Sequence, residues 1–268
     1  SLMEQKSELD AALESMRSEY DKIHGTVAPM AVELAGELKN FLHETARPHY
    51  QRPLRDSGKK IDMRAAMAAQ AKLERTGTYD SEIWLRRNNP TQRSQKFILL
   101  VDESGSMGGE KWVAALRAMV MSMEALDSLD IDFGVIGFSD KPRIHKGLNE
   151  NYDLDSRDRI VGSLAQPMSG STNDDQGIQT SIDMLLEQGD PEDEKIIIVI
   201  TDGIGNKEAV KKLQEEYKDK FIHMIGVGIG PGMADVKDVY EDHAAVASLQ
   251  DLPYELAEIV RRKIQGDD

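Results

Sequence analysis

The sequence predicts an α/β protein with a doubly wound, mainly parallel β-sheet flanked by helices. Two wholly apolar runs, FILLV at 97–101 and IIIVI at 196–200, are typical of strands that are buried on both faces. From residue 97 onward, strand patterns alternate with amphipathic helical patterns. Because sheets of this kind bind ligands at the carboxyl ends of their strands, a functional site is expected there.

The segment before this sheet, residues 1–94, is predicted to be a mainly helical extension. Leucines recur at helical spacing across residues 7–46. Gly25 and Pro29 interrupt that pattern near HGTVAP, so two separate helices are expected.

The second half of the extension is predicted to be less regular. Residues 47–60 hold two prolines and a glycine and should be irregular. The alanine-rich run at 62–75 predicts a short helix, and residues 76–95 predict a strand between loops.

The remainder, residues 95–268, is predicted to form the sheet domain. NYDLDSRD at 151–158 has acids at alternate positions but lacks the glycine of an EF-hand calcium loop, so a solvated loop is expected. The predicted elements are strands at 96–102, 131–139, 195–203 and 221–230, a short edge strand at 142–147, and helices at 111–126, 174–188, 207–219, 233–242 and 252–264.

Charge divides the chain in the same way. Residues 97–268 carry 17 Lys+Arg against 34 Asp+Glu, whereas residues 47–96 carry 12 basic and 5 acidic residues. The strongly acidic balance argues against general nucleic-acid binding, which needs a basic face. The basic segment is expected to pack on the acidic domain, with docking to an acidic partner as the alternative.

Oxygen-bearing side chains collect where two buried strands end. Asp102 ends the first strand and Ser104 and Ser106 follow it, Thr172 lies in a polar loop before a helix, and Asp202 ends the strand containing IIIVI. Two carboxylates and three hydroxyls form a hard-oxygen set that suits Mg²⁺, with Mn²⁺ and Ca²⁺ as alternatives. We expect these five residues to form a metal site with an open position for an incoming carboxylate.

At these residues the chain resembles the von Willebrand factor A (VWA) family. LLVDESGSM, GSTND and IVITDG match that family's metal-ion-dependent adhesion site. The resemblance implies a Rossmann-like VWA fold, with Ser104 and Ser106 as direct ligands and Thr172 direct or water-bridged. It implies that Asp102 and Asp202 act largely through water.

A narrower resemblance covers the extension. SGKKIDMR and IWLRRNNPTQRSQ are similar to the C-terminal region of midasin, an AAA+ ribosome-assembly ATPase, where this domain grips a ubiquitin-like domain that supplies a carboxylate to the metal. The chain has no GxxxxGK[ST] motif, so we expect a stand-alone relative, similar to VWA partners of MoxR-type AAA+ ATPases. The resemblance implies an adaptor that recognises substrates for such an ATPase in chaperone-like assembly or remodelling of protein complexes.

Two other functions stay open at this point. VWA subunits of magnesium and cobalt chelatases have a similar arrangement, and a free-standing adhesion-type binder needs no ATPase. Enzyme motifs fail: a dehalogenase-type phosphatase needs an aspartate at Ser104, a GxSxG elbow needs glycine at Asp102, and GVGIGPG misses the GxGxxG spacing. We therefore expect no enzyme activity from the chain alone.

Cysteine usage and hydropathy give weaker indications. The chain has no cysteine, which excludes disulfides and thiolate metal sites and fits a cytoplasmic location. The longest apolar runs are far too short to span a membrane, and no targeting signal is visible.

Overall fold

A computed structural model describes residues 20–40, 49–55, 61–88, 94–165, 170–202, 205–230 and 235–265. The predicted helical pattern before residue 20 lies outside these residues. The helices are α1 (20–40), α2 (Met63–Thr76), α3 (Glu110–Ser128), α4 (Leu154–Leu164), α5 (Asp174–Gln188), α6 (Lys207–Tyr217), α7 (Val236–Val239) and α8 (Leu252–Gln265). The strands are β1 (His49–Arg55), β2 (Trp84–Asn88), β3 (Gln95–Asp102), β4 (Phe133–Phe138), β5 (Pro142–Lys146), β6 (Glu194–Ile200), β7 (Ile222–Ile229) and β8 (Asp242–Val246).

Six strands form one sheet in the order β5-β4-β3-β6-β7-β8. All neighbours pair in parallel except β4 and β5, which are antiparallel. The chain runs outward from β3 to β5 and then returns to β6, so the topological switch point lies between β3 and β6. The predicted α/β class with a mainly parallel sheet is confirmed.

Both faces of the sheet are covered by helices that turn their apolar sides toward it. Ile98 and Leu100 of β3 share a fully buried core with Ile178 and Ile182 of α5, to which α6 and α7 also contribute. The opposite side of β3 contacts α3, whose Met119 is completely buried. A strand buried on both faces needs no polar alternation, which explains the continuous apolar runs in the sequence.

The chain divides into two compact units. One combines α1 with the six-stranded sheet and its helices, and the other, residues 40–92, contains β1, α2 and β2. The predicted division into domains 1–94 and 95–268 stays a prediction.

Helix α1 is continuous through Gly25 and Pro29, so the predicted break between two helices is wrong. An interior proline removes one backbone hydrogen bond and costs about 3 kcal/mol. Burial of an apolar face offsets this cost, and the buried residues on that face are Val27, Ala31, Leu34 and Leu38.

Two predicted irregular segments are also wrong. Strand β1 forms in the predicted irregular region because it pairs antiparallel with β2, with a register shift between Gln51 and Leu54. Helix α4 begins inside the predicted solvated loop, since the Asp153 side chain accepts a hydrogen bond from Ser156 N (2.9 Å) and Ile160 is buried.

The predicted helix at 233–242 is largely replaced by other structure. Helix α7 covers only its centre, and β8 begins at its last residue. Strand β8 pairs in parallel with the edge of β7 and so supplies hydrogen-bond partners for the backbone of that edge. The alternation of apolar and polar residues in the sequence did not indicate this strand.

Within the described part of the chain, no helix has both the length and the apolar character that a bilayer crossing requires.

We expect Leu34→Ala to lower the free energy of unfolding by about 2–5 kcal/mol, because it leaves a cavity at a side chain that is 1% exposed. Urea titration of the whole chain measures this change. Val32→Ala, at a position 73% exposed, is the matched control and should change stability by less than about 0.5 kcal/mol. Equal effects of the two changes would show that α1 does not pack as described.

Candidate metal-binding site

The turn after β3 is organised by its own aspartate. Ser104 N donates to Asp102 Oδ1 (2.9 Å), and the hydroxyl of Thr201, which follows β6, donates to Asp102 Oδ2 (2.9 Å). Both carboxylate oxygens of Asp102 thus accept a hydrogen bond from the protein, and Asp102 and Thr201 are both buried. This arrangement leaves Asp102 suited to orienting the turn and to acting through water.

Ser104 and Ser106 present their hydroxyls to each other. Their Oγ atoms are 3.0 Å apart, close enough for a hydrogen bond in either direction. Ser104 is almost completely buried, whereas Ser106 is exposed. The pair therefore forms one polar corner at the surface end of β3.

The residues that follow fix this corner to the domain. Met107 N donates to Ser104 O (3.1 Å), which closes a single 3₁₀ turn, and the Met107 side chain is buried in the core. Gly109 has φ 73°, a left-handed conformation that glycine adopts without strain, and it leads directly into α3. The turn is anchored by a core side chain on one side and a helix on the other.

Asp202 lies two residues beyond the end of β6 and is fully buried. Its Oδ2 accepts from Lys111 Nζ at 2.9 Å, in the first turn of α3. The sequence pattern did not identify Lys111 as part of the site. Its ammonium group neutralises a buried carboxylate at the same edge where the serines lie.

Thr172 is held at this edge through β4. Asn173 N donates to Ser139 O (3.0 Å), and the Ser171 backbone and hydroxyl both donate to Asp140 Oδ1 (2.7 Å each). Thr172 itself is half-buried. The structure thus places all five predicted residues at the carboxyl ends of β3, β4 and β6, with direct hydrogen bonds joining Asp102, Ser104 and Ser106.

Asp174 is a second residue that the sequence pattern missed. Its Oδ1 accepts from Asn206 N (2.9 Å) and Asp175 N (3.0 Å), which ties the threonine loop to the segment after Asp202. A Cβ at Gly205 would lie 2.1 Å from Asp174 Oδ2, so a larger residue there would displace the carboxylate. The repeated acid in STNDD was the available signal, although helix capping explains it equally well.

Burial governs the proton affinity of two of these carboxyls. Burial raises the pKa of Asp102 above 3.8 and the charge of Asp202 acts in the same direction, while hydrogen bonds from Ser104 and Thr201 oppose the shift. Burial also raises the pKa of Asp174, against the backbone hydrogen bonds that it accepts. The folded, metal-free domain therefore bears an electrostatic cost at this edge.

Hydroxyl groups are required for a metal site here. Within the described residues, no group of three or more Asp, Glu or His side chains is placed to hold a metal ion. A cation at this edge needs the oxygens of Ser104, Ser106 and Thr172 in addition to the two aspartates.

An open groove of about 1130 Å³ adjoins the turn. Its walls come from α1, the start of α3, the end of β7 and residues 247–250. Met30, Val113 and Ile229 give it apolar surface, and its charged lining residues are Glu110, Lys111 and Arg117, of which Lys111 is paired with Asp202. The groove reaches the end of the turn at Gly108 and Gly109, so it offers a binding surface beside the two serines.

Comparison with known proteins identifies the family. Residues 97–256 match the family profile described as von Willebrand factor type A domain. The chain belongs to the VWA family. VWA domains generally mediate protein–protein interaction or adhesion rather than catalysis, and many bind a divalent cation.

Two curated proteins are similar to part of this chain. The collagen alpha-1(XXI) chain of Xenopus laevis is 29% identical over 136 residues, which cover 50% of this chain and 14% of the collagen. A von Willebrand factor A domain-containing protein of Dictyostelium discoideum is 29% identical over 123 residues, covering 43% and 12% respectively. The chain thus spans about one seventh or less of the length of these relatives.

Among solved structures, proximal thread matrix protein 1 from the mussel byssus is similar, with a TM-score of 0.45 and 20% identity. The match covers 64% of this chain and 48% of the mussel chain.

In metal-free buffer, we expect Asp102→Asn to raise the free energy of unfolding at neutral pH. The folded state holds the Asp102 proton more tightly than the unfolded chain does. Its contribution to stability therefore falls as the pH rises from 3.8 to the raised folded pKa, and stays low above it.

Urea unfolding in EDTA from pH 4 to pH 7.5 measures this effect, and the advantage of the variant should grow with pH. Asp183→Asn, at an exposed position on α5, is the control and should show no such trend. A wild-type domain that stays more stable than Asp102→Asn at pH 7 would contradict the electrostatic account.

Proposed function

We propose that this VWA domain binds a divalent cation through Asp102, Ser104, Ser106, Thr172 and Asp202 and uses it to grip a protein partner. The single observation that carries the proposal is the pair of serine oxygens 3.0 Å apart beside a buried aspartate. In an octahedral Mg²⁺ shell, with bonds of 2.0–2.1 Å, adjacent oxygens stand about 2.9 Å apart. The spacing of the two hydroxyls therefore fits two neighbouring ligands of Mg²⁺ or Mn²⁺.

The protein donors divide into two kinds. Ser104 and Ser106 are available as direct ligands, whereas Asp102 already accepts two hydrogen bonds and is suited to orient bound water. Neutral hydroxyl ligands leave a bound cation with Lewis acidity, which an incoming carboxylate can satisfy. A partner that supplies Asp or Glu is therefore the ligand class that we propose.

The surface beside the serines suits a protein rather than a small anion. The groove between α1 and α3 can receive an apolar side chain next to the partner's carboxylate. Residues 97–268 are strongly acidic, so only an acidic group with matched basic or apolar neighbours should dock well.

We propose further that the partner is a client or component of an AAA+ ATPase of the MoxR or midasin type, and that the chain acts in the cytoplasm. Support comes from the two segments that resemble midasin, GKKIDMR at 58–64 and IWLRR at 83–87. Asp62 N donates to Ile83 O (2.8 Å), and Ile61 forms a bridge with Trp84. Because these segments meet in one folded unit, they are suited to serve as a docking module rather than a linker.

Binding of Mg²⁺ or Mn²⁺ should stabilise the native domain. About 100-fold excess over the dissociation constant adds roughly 2.7 kcal/mol to the free energy of unfolding. Thermal melts in metal and in EDTA measure this, Asp102→Ala should abolish the difference, and Asp127→Ala at the end of α3 should keep it. Melting curves that do not respond to either metal would overturn the metal-dependent proposal.

Partner binding should depend on the cation and the hydroxyls together. In pull-downs from the native cell with a tagged chain, EDTA, Ser104→Ala and Thr172→Ala should each reduce partner recovery by at least about tenfold, whereas Thr180→Ala on α5 should not. An AAA+ ring in the recovered complex supports the adaptor role.

Other outcomes favour the alternatives. Stimulation of metal insertion into a porphyrin or corrin would indicate a chelatase subunit, and a partner without any ATPase would indicate a free-standing binder. Equal partner recovery with and without EDTA would show that the metal bridge is wrong.

A further inference from the structure

A buried glutamate lies inside the proposed ligand turn. Glu103 stands between Asp102 and Ser104 in the chain and is completely buried. A buried carboxylate is costly unless it is paired and hydrogen-bonded. Nothing in the local sequence pattern indicates a buried charge at this position.

Two side chains of the edge strand β5 hold this carboxylate. Arg143 Nη2 donates to Glu103 Oε1 at 2.7 Å, and His145 Nε2 lies 3.1 Å from the same oxygen. Because a carboxylate accepts hydrogen bonds, His145 Nε2 carries the proton in this pair.

Helix α4 completes the network through Ser163. Its hydroxyl is 2.8 Å from His145 Nδ1 and so can donate to it, and its carbonyl accepts from Arg143 Nη2 at 3.0 Å. The carboxylate of the ligand turn is thereby connected to an edge strand and to a helix that lie outside the proposed site.

Strand β4 contacts both the backbone and the carboxylate of the same glutamate. Glu103 N donates to Phe138 O (2.8 Å). A Cβ at Gly137 would lie 2.4 Å from the Glu103 carboxyl carbon, so the absence of a side chain at Gly137 makes room for the carboxylate. Glu103 is therefore fixed at both its main chain and its side-chain tip.

The network is not arranged for maximal stability. Glu103 Oε2 has no hydrogen-bond partner among the described residues, and both donors converge on Oε1. An apolar side chain would fill such a position at lower cost. The network instead holds Glu103, the residue between Asp102 and Ser104, in one fixed orientation.

We propose that Glu103 is a positioning residue, which β5 and α4 hold through Arg143 and His145 so that the Asp102–Ser106 turn is preformed for cation binding. The inference rests on the proposed metal-dependent function and deepens it. It assigns control of cation affinity to the β4–β5 hairpin, whose side chains are not ligands. Residues that orient ligands from behind typically change metal affinity by about 10–100-fold when they are replaced.

Paired variants of the whole chain separate positioning from stability. Gly137→Ala drives a methyl group into the Glu103 carboxylate, whereas Gly134→Ala on the same strand meets Ile98 Cδ1 at 2.6 Å and does not touch the turn. Both changes should destabilise the sheet. Only Gly137→Ala should weaken Mn²⁺ binding, by about 10–100-fold in titration calorimetry.

Side-chain variants test the same contact from the other end. Glu103→Gln and Arg143→Met should each weaken Mn²⁺ binding. The loss of Mn²⁺ binding free energy in the double variant should be smaller than the sum of the two single losses, because both changes remove the same contact between Arg143 and Glu103. Arg143→Lys keeps a positive charge at this position and should therefore lose less Mn²⁺ affinity than Arg143→Met. Arg157→Met is the matched control on α4. The Arg157 guanidinium forms an ion pair with Asp127 Oδ2 (2.7 Å) and, within the described part of the chain, has no hydrogen bond to Glu103.

Amide hydrogen exchange in EDTA gives a readout that needs no metal. Amides of residues 103–108 should exchange faster in Gly137→Ala and Glu103→Gln than in wild type or in Gly134→Ala. Wild-type protection at 103–108 in both variants would overturn the proposal, as would equal Mn²⁺ affinity of the two glycine variants. If the wild-type chain binds no Mn²⁺, the proposed function fails, and exchange at 103–108 alone then decides whether Glu103 positions the turn.

Discussion

Parallel pairing of β3 with β6 is the constraint on which the site depends. The pairing continues to Val101 and Ile200, so the residues that follow them, Asp102 and Thr201, lie side by side at the switch point of the sheet. The hydrogen bond from Thr201 to Asp102 is a direct result of that register. A shift by one residue would turn every side chain of a strand to the opposite face and separate these two polar ends.

The same register explains why part of the site could be read from the sequence. A fully apolar strand that ends in an acid predicts a carboxylate at the edge of a parallel sheet, and Asp102 and Asp202 both follow such strands. The serines are local to Asp102 along the chain. For Thr172 the sequence shows only a polar loop before a helix, since its place at the edge depends on a hydrogen bond between this loop and the end of β4 that no periodicity reveals.

What could not be read depends on contacts between distant segments. Helix α1 crosses a proline because its buried face packs on the domain, and β8 forms because β7 has an open edge. Glu103 meets Arg143 and His145 across about 40 residues of chain. Local propensity carries no information about such pairs, so the burial of Glu103 could not be predicted from the turn sequence.

The association of α1 with the sheet also has a consequence for biosynthesis. Tyr20 donates to Glu124 Oε1 (2.5 Å) on α3, and these residues are separated by 104 positions. Between them the chain forms the separate compact unit of residues 40–92. At a synthesis rate of about 5–20 residues per second, α1 leaves the ribosome several seconds before α3 does. The apolar face of α1 stays exposed to solvent during that time. Helix α1 is thus unable to dock until the sheet has begun to form, so its apolar face is open to aggregation or to chaperone binding in that interval.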